Sequence, residues 1–159
     1  MTDKKTHWRQ QLAESRKRLL DILDELTPEQ WQTVVYSEGN TWTVRDIVSH
    51  LVDSENGMSI HIYKIRKGRE TVPENFDLTR WNAGVKQRTG DTSNAELRQR
   101  LDAVRARLLE GLDSLEEHEW ALTGRHPFRG VITIEQYYET ISGHEFTHAA
   151  DIEQAIGRK

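Results

Sequence analysis

Apolar side chains recur every three or four residues in four long stretches of this chain, which is the spacing of amphipathic α-helices. The first stretch runs from Thr6 to about Leu26 and ends before Pro28, a residue that helices rarely continue through. The second begins at Thr43, whose side chain can cap a helix, and continues to about Gly68. The pattern therefore predicts two long helices in the first half of the chain.

Two further long helices are predicted in the second half. Ser93 and Glu96 have the spacing of a capping box, and a regular apolar seam follows over residues 97–115. Thr133 and Gln136 have the same spacing and open a last helix that continues almost to the end of the sequence. Both starts are marked by local capping chemistry as well as by periodicity.

The connecting segments carry turn residues and charges. Residues 68–75 and 118–131 are predicted as loops, and Asp77 can cap a short helical piece that is interrupted at Gly90. No strand, internal repeat or interdomain linker is evident in the sequence. Four long helices of similar length predict an all-α fold, a four-helix bundle, formed as a single domain by residues 1–159.

Composition narrows the functional classes. The chain has 159 residues, 35% of them hydrophobic, with a net charge of −4 and no cysteine. A disulfide, a thiolate nucleophile and a thiolate metal ligand are therefore excluded. Positive and negative residues alternate, so we expect no nucleic-acid binding. No apolar run is long enough for a bilayer, and we expect an unprocessed cytoplasmic protein without a membrane anchor.

The candidate chemistry begins with the segment from His144 to His148, which reads H-E-F-T-H. Two histidines four positions apart share a helix face and can hold one metal ion. The pattern matches that of zinc peptidases, in which the glutamate, here Glu145, activates a water. The usual downstream extension is absent, because Asp151 and Gln154 occupy its glycine and histidine positions. We therefore expect any third ligand to lie upstream.

His50 is the histidine best placed to complete such a site. It lies at the edge of the apolar stripe of the second predicted helix, with Asp53 nearby as a possible hydrogen-bond partner. Three imidazoles would leave at least one coordination position open, as in catalytic sites. The alternative is that His50 is a hydrogen-bonded core residue and that His144 and His148 occupy a polar helix edge.

Three motifs resemble the DinB superfamily of small bacterial helical bundles, and the likeness covers nearly the whole chain. Its strongest element is a W-x-V-R-D-x-x-x-H-L opening of the second helix, over residues 42–51, followed by the H-x-x-x-H pair near the end. The segment 76–82, which reads F-D-L-T-R-W-N, lies between them. The resemblance implies an up-down-down-up bundle, often homodimeric, in which His50, His144 and His148 bind a metal.

The same resemblance implies an enzyme, since characterised relatives include metal-dependent proteins that use low-molecular-weight thiols. Our leading hypothesis is a thiol S-transferase, whose partners would be a small thiol and an electrophilic substrate. One alternative is a hydrolase, with Glu145 as a possible general base; an interhelical carboxylate is the competing interpretation of this residue. The other alternative is a non-catalytic metal-binding dimer. Zinc suits imidazole ligands, and nickel or iron would also be accepted.

Several other side chains are candidates for a pocket near the metal. Trp81 and Asn82 can line it, although aromatic residues at helical spacing are more often part of the core. Arg80 or Arg45 can bind a carboxylate on a thiol or substrate. Tyr137 lies two helical turns before His144 on nearly the same face and can point toward the cavity.

Overall fold

The computed structural model describes residues 2–157 and is built mainly from helices. The helices are α1 (Thr2–Leu23), α2 (Val44–Arg66), α3 (Leu78–Ala83), α4 (Val85–Thr89), α5 (Asn94–Ser114) and α6 (Ile134–Ala155). The strands are β1 (Val34–Tyr36), β2 (Trp42–Thr43), β3 (Thr123–His126) and β4 (Gly130–Thr133), and short 3-10 helices cover Gln30–Gln32 and Glu117–Ala121. None of the helices in the described residues is long and apolar enough to cross a membrane.

Helices α1 and α6 lie side by side and run in the same direction. Near their starts, the indole Nε1 of Trp8 donates to Glu135 over 2.9 Å. Near their ends, Arg18 donates to Glu153 over 3.2 Å. Contacts of start with start and end with end show that the first and last long helices are parallel.

Helices α2 and α5 form a second parallel pair. Near their starts, Arg45 donates to Asn94 over 3.4 Å, and near their ends Arg66 donates to the hydroxyl of Ser114 over 2.8 Å. These two helices therefore run in the same direction, as α1 and α6 do.

The two pairs run in opposite directions. Lys5, near the start of α1, donates to the carbonyl of Asp113, near the end of α5, over 2.8 Å. Arg98, near the start of α5, donates to Asp24, just after the end of α1, over 3.1 Å. The predicted four-helix bundle with an up-down-down-up arrangement is thus confirmed.

Local capping fixes the starts of three long helices. Thr43 and Asp46 form a reciprocal capping box at α2, as do Thr133 and Gln136 at α6. Ser93 accepts a hydrogen bond from the Glu96 amide at the start of α5, although its box is not reciprocal. These starts are the ones that the sequence predicted. Helix α1, in contrast, begins at Thr2 and ends at Leu23, a few residues earlier than predicted at each end.

The structure corrects the prediction that no strands are present. Strands β1 and β2 form one antiparallel hairpin, and β3 and β4 form another that begins inside the segment predicted as a loop and extends to Thr133. These strands have two to four residues, too few for alternating polarity to be recognised. Each hairpin leads directly into a long helix, because the last residue of its second strand, Thr43 or Thr133, is also the helix cap.

The structure also reveals an internal repeat that the sequence did not. A long helix, a 3-10 helix, a hairpin and a second long helix occur in this order in residues 2–66 and again in residues 94–155. Equivalent positions lie about 90 residues apart, and Trp31 and Trp120 occupy the two 3-10 helices. Since the halves contain few identical residues, the duplication is visible in the order of elements and not in the sequence pattern.

A buried ionic cluster joins the four long helices. Arg16 on α1 and Arg105 on α5 each contact both Glu55 on α2 and Glu145 on α6, over 2.7–3.0 Å. All four side chains are less than a tenth exposed. The cluster lies between two apolar core layers, one containing Leu12, Met58, Leu108 and Ile141 and the other Leu19, Leu51, Leu101 and Ala149.

The ionic cluster follows the internal repeat. Arg16 donates from Nη1 to the carbonyl of Leu101, and Arg105 donates from Nη1 to the carbonyl of Leu12, both over 2.7 Å. The arginine contacts of one half thus have counterparts in the other. The two halves are related by an approximate two-fold operation whose axis passes through this cluster.

Candidate metal centre

Three histidines from two antiparallel helices meet at one end of the bundle. His50 lies on the buried face of α2 and is 6% exposed, while His144 and His148 lie one turn apart on α6 and are partly buried. Helical periodicity places the α6 pair on one face. The packing of α2 against α6 then brings the third ring to it, as the sequence analysis expected.

The geometry of the three rings fits a divalent metal. The Nε2 atom of His144 lies 3.0 Å from Nε2 of His50 and 2.9 Å from Nε2 of His148. One nitrogen from each of the three rings lies within 4.8 Å of the other two. Imidazole nitrogens bind metals at about 2.0–2.1 Å, so two ligands at right or tetrahedral angles are about 2.9–3.4 Å apart. The donor set and its spacing therefore match.

The three imidazoles are neutral at ordinary pH, as metal ligands must be. Burial, together with the charges of the other two histidines, lowers the pKa of His50 to about 3, and Asn82 acts weakly in the opposite direction. Burial lowers the pKa of His144 to about 4, and burial with the His144 charge lowers that of His148 to about 3. Protons therefore compete poorly with a metal at this site.

A tyrosine and an aspartate hold His148 from behind. The hydroxyl of Tyr36 lies 3.0 Å from Nδ1 of His148 and donates to the carboxylate of Asp151. Because the Tyr36 hydroxyl donates its hydrogen bond to Asp151, its oxygen can accept one from Nδ1–H of His148. The Nε2 lone pair of His148 then faces the other two rings. Outer hydrogen bonds of this kind are typical of metal-binding histidines.

Neither Tyr36 nor Asp151 was predicted from the sequence as a neighbour of the histidines. Tyr36 belongs to a hairpin that was not predicted, so no sequence signal connected it with the histidines. Asp151 was noted only as a mismatch to the peptidase motif, although it lies on α6 one turn after His148, a spacing that could have indicated a neighbour.

Asp53, the partner expected for His50, has a different role in the structure. It accepts a hydrogen bond from the indole of Trp81 over 2.7 Å, and the Arg88 guanidinium lies 3.6 Å from the same carboxylate. Arg88 also lies over the Trp81 ring, 4.1 Å from its centroid. Instead of Asp53, the Trp42 ring packs against His50, with centroids 4.9 Å apart.

Glu145 turns away from the histidines into the buried ionic cluster. Its carboxylate accepts from Ser15 over 2.6 Å, from Arg16 over 2.7 Å and from Arg105 over 3.0 Å. Burial would raise the pKa of Glu145, but the charges of Arg105 and Arg16 and these hydrogen bonds outweigh it and lower the pKa. The contacts fit the interhelical interpretation of this residue, and a carboxylate held so firmly is a weak general base.

A cavity of about 480 Å³ opens beside the histidine cluster and is lined mainly by apolar atoms. His50 and His144 form one wall, and Trp81 and Asn82 line it as expected. Small-molecule sites typically have this size and character.

The other pocket candidates are placed elsewhere. Arg45 donates to the carbonyl of Gly90 and to Asn94, and Arg80 is exposed outside the cavity wall. Tyr137 is fully buried, and its hydroxyl donates to the carbonyl of Arg125 over 3.0 Å.

Two further histidines line the cavity and were not predicted to do so. His61 comes from α2, and His126 comes from the end of β3. The sequence analysis assigned His126 to a loop, and only the unpredicted hairpin brings it against α2 and α6.

Comparison with known proteins agrees with this picture. The family model described as the DinB superfamily matches residues 11–152. A Bacillus subtilis protein named "Putative metal-dependent hydrolase YfiT" is 27% identical over 160 residues, which cover 98% of this chain and 87% of YfiT. The solved structure of YfiT covers 100% of this chain and 91% of its own, with a TM-score of 0.75 at 22% identity.

Other solved structures share the fold. TT2238, described as a four-helix bundle protein, has a TM-score of 0.70 at 23% identity and covers 94% of this chain and 98% of its own. The colibactin self-resistance protein ClbS, solved in complex with a double-stranded DNA, has a TM-score of 0.77 at 16% identity and covers 98% and 96%. At these identities the likeness concerns the fold alone.

Proposed function

We propose that this chain, which belongs to the DinB superfamily, is a divalent-metal-dependent enzyme that joins a low-molecular-weight thiol, through its sulfur, to a small electrophile. The observation that carries this proposal is the convergence of three neutral imidazole nitrogens beside an apolar cavity, whose wall includes His50 and His144. A buried cluster of this kind without a metal would leave lone pairs facing one another, whereas a bound cation satisfies all three.

In this proposal His50, His144 and His148 hold the metal, with zinc as the default ion and nickel or iron as alternatives. Tyr36 and Asp151 keep His148 in the tautomer that presents Nε2. A divalent metal on three neutral nitrogens supplies a Lewis acid that lowers the pKa of a thiol or of water at an open position.

The surroundings of the histidines favour a thiol over water as the nucleophile. Three carboxylates neighbour the histidines in sequence, and each is engaged elsewhere: Glu145 by arginines, Asp151 by Tyr36 and Asp53 by Trp81. Water attack usually needs a free general base, whereas an acidified thiol can lose its proton directly to solvent. The sulfur then bonds to the electrophilic carbon, and the leaving group departs with the bonding electrons.

The chain itself contains no cysteine, so the sulfur has to come from a separate thiol cosubstrate. The cavity is large enough for a small thiol together with an electrophile of modest size. We further propose that the enzyme acts in the cytoplasm, where such thiols are abundant, and that it forms a homodimer.

A hydrolase is the second candidate, and one observation favours it. The relative YfiT carries the name "Putative metal-dependent hydrolase", and its match spans nearly all of this chain. The same three histidines would hold the metal, and water would replace the thiol.

Metal content tests the site itself. The protein is purified without a histidine tag and analysed for metals, together with His50→Ala, His144→Ala and His148→Ala. We expect about one metal per chain in the wild type and a loss in each variant. His118→Ala is the matched control, because His118 is exposed and lies outside the site. A wild type that binds none of zinc, nickel and iron would overturn the proposal.

The nucleophile is tested on the metal-loaded protein. A panel of activated small electrophiles is incubated with and without a low-molecular-weight thiol, and products are identified by mass spectrometry. A thioether product that depends on enzyme, metal and thiol supports the transferase. Product formed equally well with water alone would replace that function with the hydrolase.

A further inference from the structure

The cavity extends far beyond the histidine cluster, along one face of α2. His50, Gly57 and Lys64 are spaced by seven residues, or nearly two helical turns, and all three line it. The Cα atoms of His50 and Lys64 are about 21 Å apart at the helical rise of 1.5 Å per residue. A molecule that fills this cavity is therefore elongated.

His126 presents an unused hydrogen-bond donor to the far part of the cavity. It is 4% exposed, and its Nδ1 accepts from the backbone amides of Phe128 over 3.2 Å and Arg129 over 3.3 Å. A neutral imidazole that accepts at Nδ1 carries its proton on Nε2. No hydrogen-bond partner of this Nε2–H is found within residues 2–157, so the donor is available to a molecule that enters the cavity.

A lysine lines the same cavity as this donor. Lys64 lines the cavity and makes no ion pair with any described residue. Burial, and secondarily the Lys64 charge, lowers the pKa of His61 to about 4. Burial, with a contribution from His61, likewise lowers the pKa of His126 to about 4. All three side chains line the same cavity, and together they combine one cation with two neutral imidazoles.

The internal repeat shows how this region relates to the metal centre. His126 ends β3 as Tyr36 ends β1, so the two occupy equivalent positions in their hairpins. Counted from the capping threonines, the equivalents of His50, His144 and His148 are Thr140, Ser54 and Met58. All three of these equivalents line the cavity and carry no charge. The three histidines thus come from both halves of the repeat, and the position equivalent to each of them supplies an uncharged residue to the cavity wall.

We propose that His126 and Lys64 bind an anionic group, such as a carboxylate, at one end of an elongated and otherwise apolar substrate whose other end reaches the three histidines. That this molecule is a substrate rests on the proposed function, whereas its binding in the cavity does not. His126 and Lys64 are then specificity-determining residues. A charge-assisted hydrogen bond from the imidazole and the ammonium charge would select anionic molecules over neutral ones of the same shape.

The test uses two fluorescent probes with the same aromatic body. Anilinonaphthalene sulfonate carries an anion, and phenylnaphthylamine lacks it. We expect the wild type to bind the sulfonate more tightly, and we expect Lys64→Met and His126→Asn each to weaken sulfonate binding about tenfold without affecting the neutral probe. Asparagine keeps an oxygen at the Nδ1 position for the two backbone amides, so His126→Asn removes the cavity donor and leaves the hairpin supported.

Matched variants control for position. Lys67→Met removes a lysine from the same end of α2 but outside the cavity wall, and should change neither affinity. Gly57→Leu should abolish binding of both probes, since a Cβ at Gly57 meets nothing within 4 Å and the longer side chain enters the cavity. Gly111→Leu adds the same side chain at another open helical position, outside this cavity, and should leave binding intact.

Three results would overturn the inference: no preference of the wild type for the anionic probe, equal effects of Lys64→Met and Lys67→Met, or unchanged binding in Gly57→Leu. Zinc binding is measured on the same proteins, and none of these substitutions alters a ligand histidine. Absence of zinc binding in the wild type would contradict the proposed function alone, and the probe affinities would still decide the anion site.

Discussion

Replacing Glu145 by glutamine tests whether the buried ionic cluster supports the fold. In the wild type two carboxylates and two guanidinium groups balance one another in a site that is nearly closed to solvent. Glutamine has nearly the same shape but no charge. The substitution therefore leaves Arg16, Arg105 and Glu55 with one uncompensated positive charge inside the bundle.

The contacts of Glu145 give the expected size of the effect. Its two oxygens accept from Ser15, Arg16 and Arg105, and glutamine keeps only one of them as an acceptor. At least one charge-assisted hydrogen bond is lost, worth about 1.5–3 kcal/mol. Removing one partner of a buried ion pair typically lowers the free energy of unfolding by about 3–5 kcal/mol. The free energy of unfolding of a whole domain is only about 5–15 kcal/mol.

The assay is equilibrium unfolding in urea at neutral pH, followed by circular dichroism. Asp21→Asn is the control, because the Lys17–Asp21 pair is exposed and we expect no measurable loss there. A double variant, Arg16→Met with Glu145→Leu, removes a positive and a negative partner together. We expect its loss to be smaller than the sum of the two single losses, since no unbalanced charge remains.

The pH dependence gives a second measurement of the same contact. The pKa of Glu145 lies below its ordinary value of 4.5 in the folded protein, so its contribution to stability is present above about pH 4.5. That contribution is lost as the pH falls through the folded pKa. The difference between wild type and Glu145→Gln should therefore shrink at acid pH.

A loss of less than about 1 kcal/mol in Glu145→Gln at neutral pH would refute this reasoning. If stability were unchanged but turnover fell, Glu145 would be acting as a general base despite its contacts with the arginines.

Three further predictions concern the site and its helix. Tyr36→Phe should weaken zinc binding about tenfold, because His148 loses its outer hydrogen bond; competition with a chromophoric chelator measures this, with Tyr63→Phe, an exposed position, as control. Gly57→Ala should raise the free energy of unfolding by about 0.5–1 kcal/mol, since the methyl group meets nothing and the unfolded chain loses freedom; no gain in urea unfolding would contradict this. The metal-free protein should lose stability as the pH falls from about 6.5 toward 4, because His61 and His126 bind protons in the unfolded chain but stay neutral in the folded protein. Thermal unfolding across this pH range measures the sign of the change.

Much of the helical framework could be predicted from local sequence. The capping threonines Thr43 and Thr133 and the apolar periodicity mark where α2 and α6 begin, because both signals depend only on neighbours within a few residues. The two hairpins could not be found in this way. Their strands are too short to show alternation, and pairing between chain segments decides them.

Some residues of the candidate site could likewise be predicted from local sequence, and others could not. The H-x-x-x-H spacing brings His144 and His148 together by helix geometry alone, and the position of His50 on an apolar stripe indicated a third ligand. Tyr36 and His126 could not be anticipated, because each is carried to its place by a hairpin. Glu145 directly follows His144 in sequence, yet the rotation between adjacent residues of a helix directs its side chain away from the histidines and into the buried ionic cluster.

The sequence by itself determined that this protein is a bundle of long helices with two histidines on one face, since periodicity and spacing are properties of neighbouring residues. Only the tertiary structure decided which helices pair and where the duplicated halves meet. It also decided which buried groups face the histidine cluster, the ionic cluster or the cavity. These features depend on contacts between residues about 40 to 130 positions apart, and no local pattern records such contacts.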